Sequence, residues 1–223
     1  MKLILVFIAV CAAMCYADFS ELGALHSEPG TVSSGTDAIV FDQTYSFVSV
    51  LNGYRLTGDE CYWADDFVLT VNSDIQDIRF WIVYNGGTAP SSYDMAFTQD
   101  SGDSDPTNAT AVWSETIVPV LVDTGDDQWG MDIYEVTCTI ASYPSLVSGQ
   151  RYWLEGHFHT TSVNDYILVQ TPVYGSYFYM SSDAAAWTRI DNYGAEASDT
   201  FFELNAPPVA LQNETWGTIK SIF

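Results

Sequence analysis

From Ile39 onward the apolar residues fall in short runs rich in Val, Ile, Thr, Phe and Tyr, separated by Gly, Pro, Asn, Asp and Ser. That is the pattern of strands and turns. In residues 65–71 alternate positions put Phe67, Leu69 and Val71 on one face, and in 133–140 they put Tyr134, Val136, Cys138 and Ile140 together. Each half-apolar strand requires a second sheet to cover it. Residues 75–84 begin polar and become apolar on both faces at Phe80-Trp81-Ile82-Val83, as a central strand does, and Asn85-Gly86-Gly87 then supplies a turn that tolerates positive φ. Further strands are predicted over 111–122, 150–160, 166–171, 173–180 and 200–204. No stretch between 38 and 205 repeats apolar residues at helical spacing over three turns. The expectation is one all-β domain over 37–205, a two-sheet antiparallel β-sandwich of jelly-roll type with little helix.

The ends of the chain read differently. Met1-Lys2, an unbroken apolar run from Leu3 to Met14, and Cys15-Tyr16-Ala17 form a secretory signal with cleavage expected after Ala17, the run being shorter than the ~20 residues that span a bilayer. Residues 18–36 are a polar leader. Ala206-Pro207-Pro208 cannot continue a strand ladder, and beyond it Trp216, Ile219 and Phe223 would share one side of a short C-terminal helix. Export to an oxidising compartment leaves Cys61 and Cys138 either bridged or separately buried; a bridge would close a long loop worth ~4 kcal/mol in the chain-entropy model.

Composition narrows the partners. Among 223 residues, 48% are hydrophobic and only 16% charged, which excludes a disordered chain. The 29 acidic residues against 6 basic ones give a net charge of −23, a field that repels phosphate backbones, so nucleic acid is not an expected partner.

Trp63-Ala64-Asp65-Asp66-Phe67-Val68-Leu69, followed by Ile75-Gln76-Asp77-Ile78-Arg79-Phe80-Trp81, resembles the opening of a class of secreted bacterial β-sandwich modules that begin Ala-Asp-Asp-Phe and continue Ile-x-x-Ile-x-x-Trp. Gly149-Gln150-Arg151-Tyr152-Trp153-Leu154 is similar to their Gly-x-x-Tyr-Trp-Leu strand, and Asp199-Thr200-Phe201-Phe202-Glu203-Leu204 to their closing Asp-x-x-Phe-x-Leu strand. The resemblance implies an extracellular sandwich, with residues 214–223 in the place of a C-terminal sorting tag.

Candidate chemistry is sparse. Trp153, Glu155, His157 and His159 share one face of a predicted strand, and His-x-His beside a carboxylate can ligate Zn, Cu or Fe; the alternative is a solvated strand face carrying two imidazoles. Asp65 lies on the apolar face of its strand and must be paired or bonded there. Calcium is one solution, with Asp65 or Asp66 meeting Asp199 or Glu203, and hydrogen bonds from backbone N–H groups are the other. The loop from Asp100 to Asp105 also concentrates carboxylates, without the spacing of a calcium-binding hand. Trp113, Trp129, Trp153, Tyr174, Tyr177, Tyr179 and Trp187 are candidates for a platform on which sugar rings stack, or else fill the core. No nucleophile elbow or phosphate loop is present. The expected function is a secreted, non-catalytic module binding a glycan or a surface protein; a metal-dependent enzyme at His157 and His159 and a structural surface component are the rivals.

Overall fold

The computed structural model describes residues 38–43, 45–46, 50–55, 61–84, 90–159, 165–170, 178–192, 196–197 and 199–207, so the expected signal, leader and sorting tag lie outside the described residues. In chain order the principal strands are β1 (Ala38–Asp42), β2 (Val50–Arg55), β3 (Tyr62–Val68), β4 (Asp77–Tyr84), β5 (Ser92–Gln99), β6 (Thr110–Ile117) and β7 (Val120–Gln128). They continue with β8 (Met131–Thr139), β9 (Arg151–His159), β10 (Tyr166–Gln170), β11 (Tyr179–Ser181), β12 (Thr188–Arg189), β13 (Asp199–Thr200) and β14 (Phe202–Ala206). The one helical turn among the described residues is the 3₁₀ segment Pro106–Asn108, and none of their helices is long and apolar enough to cross a membrane.

The protein is an all-β, two-sheet antiparallel sandwich. The smaller sheet has the order β12-β11-β3-β9-β5-β6. The larger is built around β4, which pairs with β8 along one side and with β14 and β10 along the other, β1, β2, β7 and β13 completing it. The apolar residues on both faces of β4 are each covered by a hydrophobic cluster. Phe80 and Ile82 point into the main core, while Trp81 and Val83 join Ile133, Tyr166, Leu168 and Phe201 in a second cluster. Packing between the two sheets is largely aromatic: Phe80 stacks on Phe158 at 5.6 Å, and Phe67 meets Phe202 edge-on at 5.9 Å.

Three expectations change. The predicted strand over 111–122 is two strands, since the ladder of β6 stops at Ile117 and β7 starts at Val120 in the other sheet, with Pro119, which lacks an N–H, between them. Ser92–Gln99, which was not expected as a strand, is β5, with Tyr93, Met95 and Phe97 buried on its inner side. The expected alternative of a disulfide does not hold: Cys61, just ahead of β3, and Cys138, on β8, are separate buried thiols. Each packs as a small apolar group in the main core, and burial, with the Asp77 charge, pushes the Cys138 thiol far above its ordinary value.

Candidate functional site

The outer face of the smaller sheet is set by parity along β9. Tyr152, Leu154 and Phe158 face the core with Gly156, and Trp153, Glu155, His157 and His159 face outward. Gly156 is required there. A Cβ at this position would fall 2.4–2.6 Å from the Trp63 indole, whose ring fills the space on the inner side of β9.

Strand pairing then assembles rows across the sheet. His157 pairs with Tyr62 of β3 on one side and Asp94 of β5 on the other, and Asp94 pairs with Thr116 of β6. Tyr62, His157, Asp94 and Thr116 therefore form one row over four strands. In the next row Glu155 lies between Ala64 and Ala96, and Ala96 pairs with Ser114. Small side chains beside large ones leave a hollow. A cavity of about 380 Å³ opens there, lined by Tyr62, Asp94, Ala96, Glu115, Glu155 and His157 among others. One row further on, the hollow is closed: Trp153, although outward-facing, is fully buried against Ala64 and Tyr179, with Ala109 and Trp187 packed on them. The 100–108 loop seals this half, Ser104 receiving hydrogen bonds from Arg151 and Tyr179.

Within the cavity Asp94 is the hub. Its Oδ1 accepts from the Thr116 hydroxyl at 2.6 Å, and its Oδ2 lies 2.7 Å from His159 Nε2 and 3.6 Å from His157 Nδ1. The first two are hydrogen bonds; the third, at that length, is an electrostatic contact. Partial burial alone would raise the Asp94 carboxyl, but the Thr116 and His159 hydrogen bonds outweigh it and hold the group below its usual range. The Tyr62 ring stacks on His157 with centroids 4.2 Å apart, and the two imidazoles meet nearly edge-on at 4.7 Å. His157 is only 4% exposed, and neither of its ring nitrogens has a hydrogen-bond partner. One ligand atom from each of Asp94, His157 and His159 lies within 4.8 Å of the others, the one such trio of metal-binding side chains among the described residues.

The expected ligand sets are revised accordingly. Glu155 shares the outer face with the histidines, but its carboxylate accepts from the Thr98 hydroxyl at 2.6 Å, and burial raises its pKa. Asp94, absent from the sequence-derived set, stands where Glu155 was expected. Its signal was present in the alternation of Tyr93, Met95 and Phe97, which turns Asp94 outward.

The calcium set is divided. Asp65 does point inward, where its Oδ2 accepts from the backbone N–H and hydroxyl of Thr200, and its Oδ1 from the N–H of Asp66. Asp66 faces the other way, 3.3 Å from Arg151 Nε, and Glu203 lies 3.6 Å from Arg79. Asp199 is buried and close enough to act on Asp65, so of the expected pairings Asp65 with Asp199 meets, while Asp66 and Glu203 lie apart from it on their arginines. The loop carboxylates are also engaged: Asp103 accepts from Ser101 and Asn108, and Asp105 caps the 3₁₀ turn.

The aromatic platform does not form among the described residues. Trp113 packs inward on Phe97 at 5.1 Å, Trp153 and Tyr179 meet edge-on at 5.3 Å, and Trp187 packs against that pair. Trp129 lies against Tyr166, its ring filling the place of a side chain at Gly53. Tyr174 and Tyr177 fall outside the described residues. A scan against protein-family models and searches of curated proteins and of solved structures returned no match to this chain.

Proposed function

We propose that the protein is an exported, non-catalytic β-sandwich module that binds an extracellular glycan in the groove on the outer face of its smaller sheet. The observation that carries this reading is the cavity of about 380 Å³ between the Tyr62–Thr116 row and the closed Trp153 row. Its size falls within the ~300–1,000 Å³ of small-ligand sites. Its walls are rich in acceptors, with Asp94 and Glu155 beside the hydroxyls of Ser114 and Thr116, a lining suited to the donor groups of a polyol. Tyr62 supplies the one tyrosine, tryptophan or phenylalanine ring of the lining among the described residues, so the mode is hydrogen bonding within a hollow rather than stacking on a flat platform. Export is supported by the N-terminal apolar run, and the acidic shell suits a neutral or cationic ligand over an anionic one.

The test is an array of soluble oligosaccharides read with the parent chain and with Ala96→Trp, which fills the hollow from the outer face. Binding that disappears in Ala96→Trp while the circular dichroism spectrum is unchanged supports the reading. A blank array at millimolar ligand, or binding indifferent to the substitution, overturns it.

A further inference from the structure

We infer that Asp94, His157 and His159 form a binding site for a divalent first-row transition metal of the zinc class, with a coordination position left open toward the groove. Donor chemistry selects the ion: two imidazole nitrogens and one carboxylate oxygen suit Zn²⁺, Cu²⁺ or Ni²⁺, whereas Ca²⁺ and Mg²⁺ require oxygen ligands throughout. Spacing agrees. Donors held ~2.1 Å from a tetrahedral ion are ~3.4 Å apart, and Asp94 Oδ2 lies 3.6 Å from His157 Nδ1 and 2.7 Å from His159 Nε2. Admitting the ion requires Asp94 Oδ2 and His159 Nε2 to separate by a fraction of an ångström, exchanging their direct hydrogen bond for two metal bonds, and the two imidazole nitrogens, which lie within 4.8 Å of each other, to turn toward the ion.

The independent observation is His157 itself. An imidazole that is almost wholly buried, with no hydrogen bond to either nitrogen, is anomalous in a protein interior, where polar groups are paired. A metal ion at the ring is the partner that position lacks. The surroundings also have the form of a supporting shell: Thr116 binds Asp94 Oδ1 and leaves Oδ2 turned toward the imidazoles, and the stacked Tyr62 ring fixes the plane of His157. Glu155 is held by Thr98, and Glu115 accepts the N–H of Ala141. Neither completes the set, so three protein ligands face an open side, as in sites that exchange a bound molecule. The ion would stand in one wall of the proposed groove, but its ligands do not depend on what fills that groove.

The test takes the full chain, stripped with a chelator and titrated with Zn²⁺, with metal bound per chain as the readout and the tetrahedral absorption of Co²⁺ as a second. One saturable equivalent is expected. Asp94→Asn and His159→Gln should each weaken it by about 100-fold or more, and Thr116→Val by about 10-fold, the scale of a supporting-shell loss. Both ligand substitutions fall on partly exposed side chains, so they remain informative even if His157→Gln fails to fold. No saturable equivalent, or an affinity indifferent to Asp94→Asn and His159→Gln, overturns the site. If Zn²⁺ does not bind while Ala96→Trp still abolishes glycan binding, the metal falls and the groove stands; one equivalent of Zn²⁺ with glycan binding unmoved by Ala96→Trp gives the reverse.

Discussion

Asp65 and Asp94 stand on the same six-stranded sheet, one on each face, and the sheet treats them in opposite ways. Asp65 is enclosed between the layers, and three donors from Asp66 and Thr200 are directed at its two oxygens. Burial first, and then the nearby Asp199 and Asp66, push its pKa well above the ordinary carboxylate range. Asp94 is half-exposed, is held below that range, and shares its second oxygen with two imidazoles, one of them short of partners. An acid whose bonding capacity is closed by the fold serves the fold. One whose neighbourhood retains unused capacity is available to a ligand.

Substitutions can break this contrast. The largest effect is expected from Asp65→Ala, which leaves the buried N–H and hydroxyl of Thr200 without their acceptor and should cost about 3 kcal/mol in denaturant unfolding; a midpoint equal to the parent's would show that the inward acid ties nothing together. Gly156→Ala comes next. Its methyl must displace Trp63 or move β9, at about 2 kcal/mol, and because Glu155 and His157 flank it the same variant should lose Zn²⁺ affinity.

Acidity sharpens the contrast further. With its folded pKa raised, Asp65 holds its proton more firmly in the native state than in the unfolded one, so its contribution to stability falls as pH rises from the usual carboxylate value of about 4 through the folded value. The slope is at most about 1.4 kcal/mol per pH unit, and Asp65→Asn, which keeps an acceptor for Thr200, should flatten it; urea midpoints of the two chains across that window decide the matter. The smallest effect is expected from Asp94→Ala on the metal-free chain, about 0.5 kcal/mol or less. Added calcium should leave the melting midpoint of the parent where it was, since Asp66 and Glu203 are held by Arg151 and Arg79 and only Asp65 and Asp199, the first already bonded to Thr200, lie together.

Much of the sandwich was legible because it depends on period-two alternation and a count of apolar faces: the two-sided run Phe80–Val83 gave away the central strand, and parity alone turned Asp65 inward and His157 outward. The site was half legible for the same reason. His157 and His159 are local, two positions apart on one strand, whereas Asp94 reaches His159 across 65 residues of chain through the pairing of β5 with β9. No local pattern encodes which strands become neighbours. The same ignorance produced the calcium set, in which Glu203 was free to meet Asp65 until the pairing of β14 with β4 set it opposite Arg79. Cys61 and Cys138 stayed open between a bridge and separate burial for the same reason, since sequence does not tell whether two thiols meet.

Thr116, the last member of the polar row, belongs to β6, which among the described residues has a neighbour on one side only within its sheet. Such a margin opens more readily than the interior does. A brief detachment there would free the carboxylate of Asp94 from Thr116 and lift Trp113 off Phe97, so amide exchange along 110–117 would report how firmly that end of the row is held, well before any global unfolding.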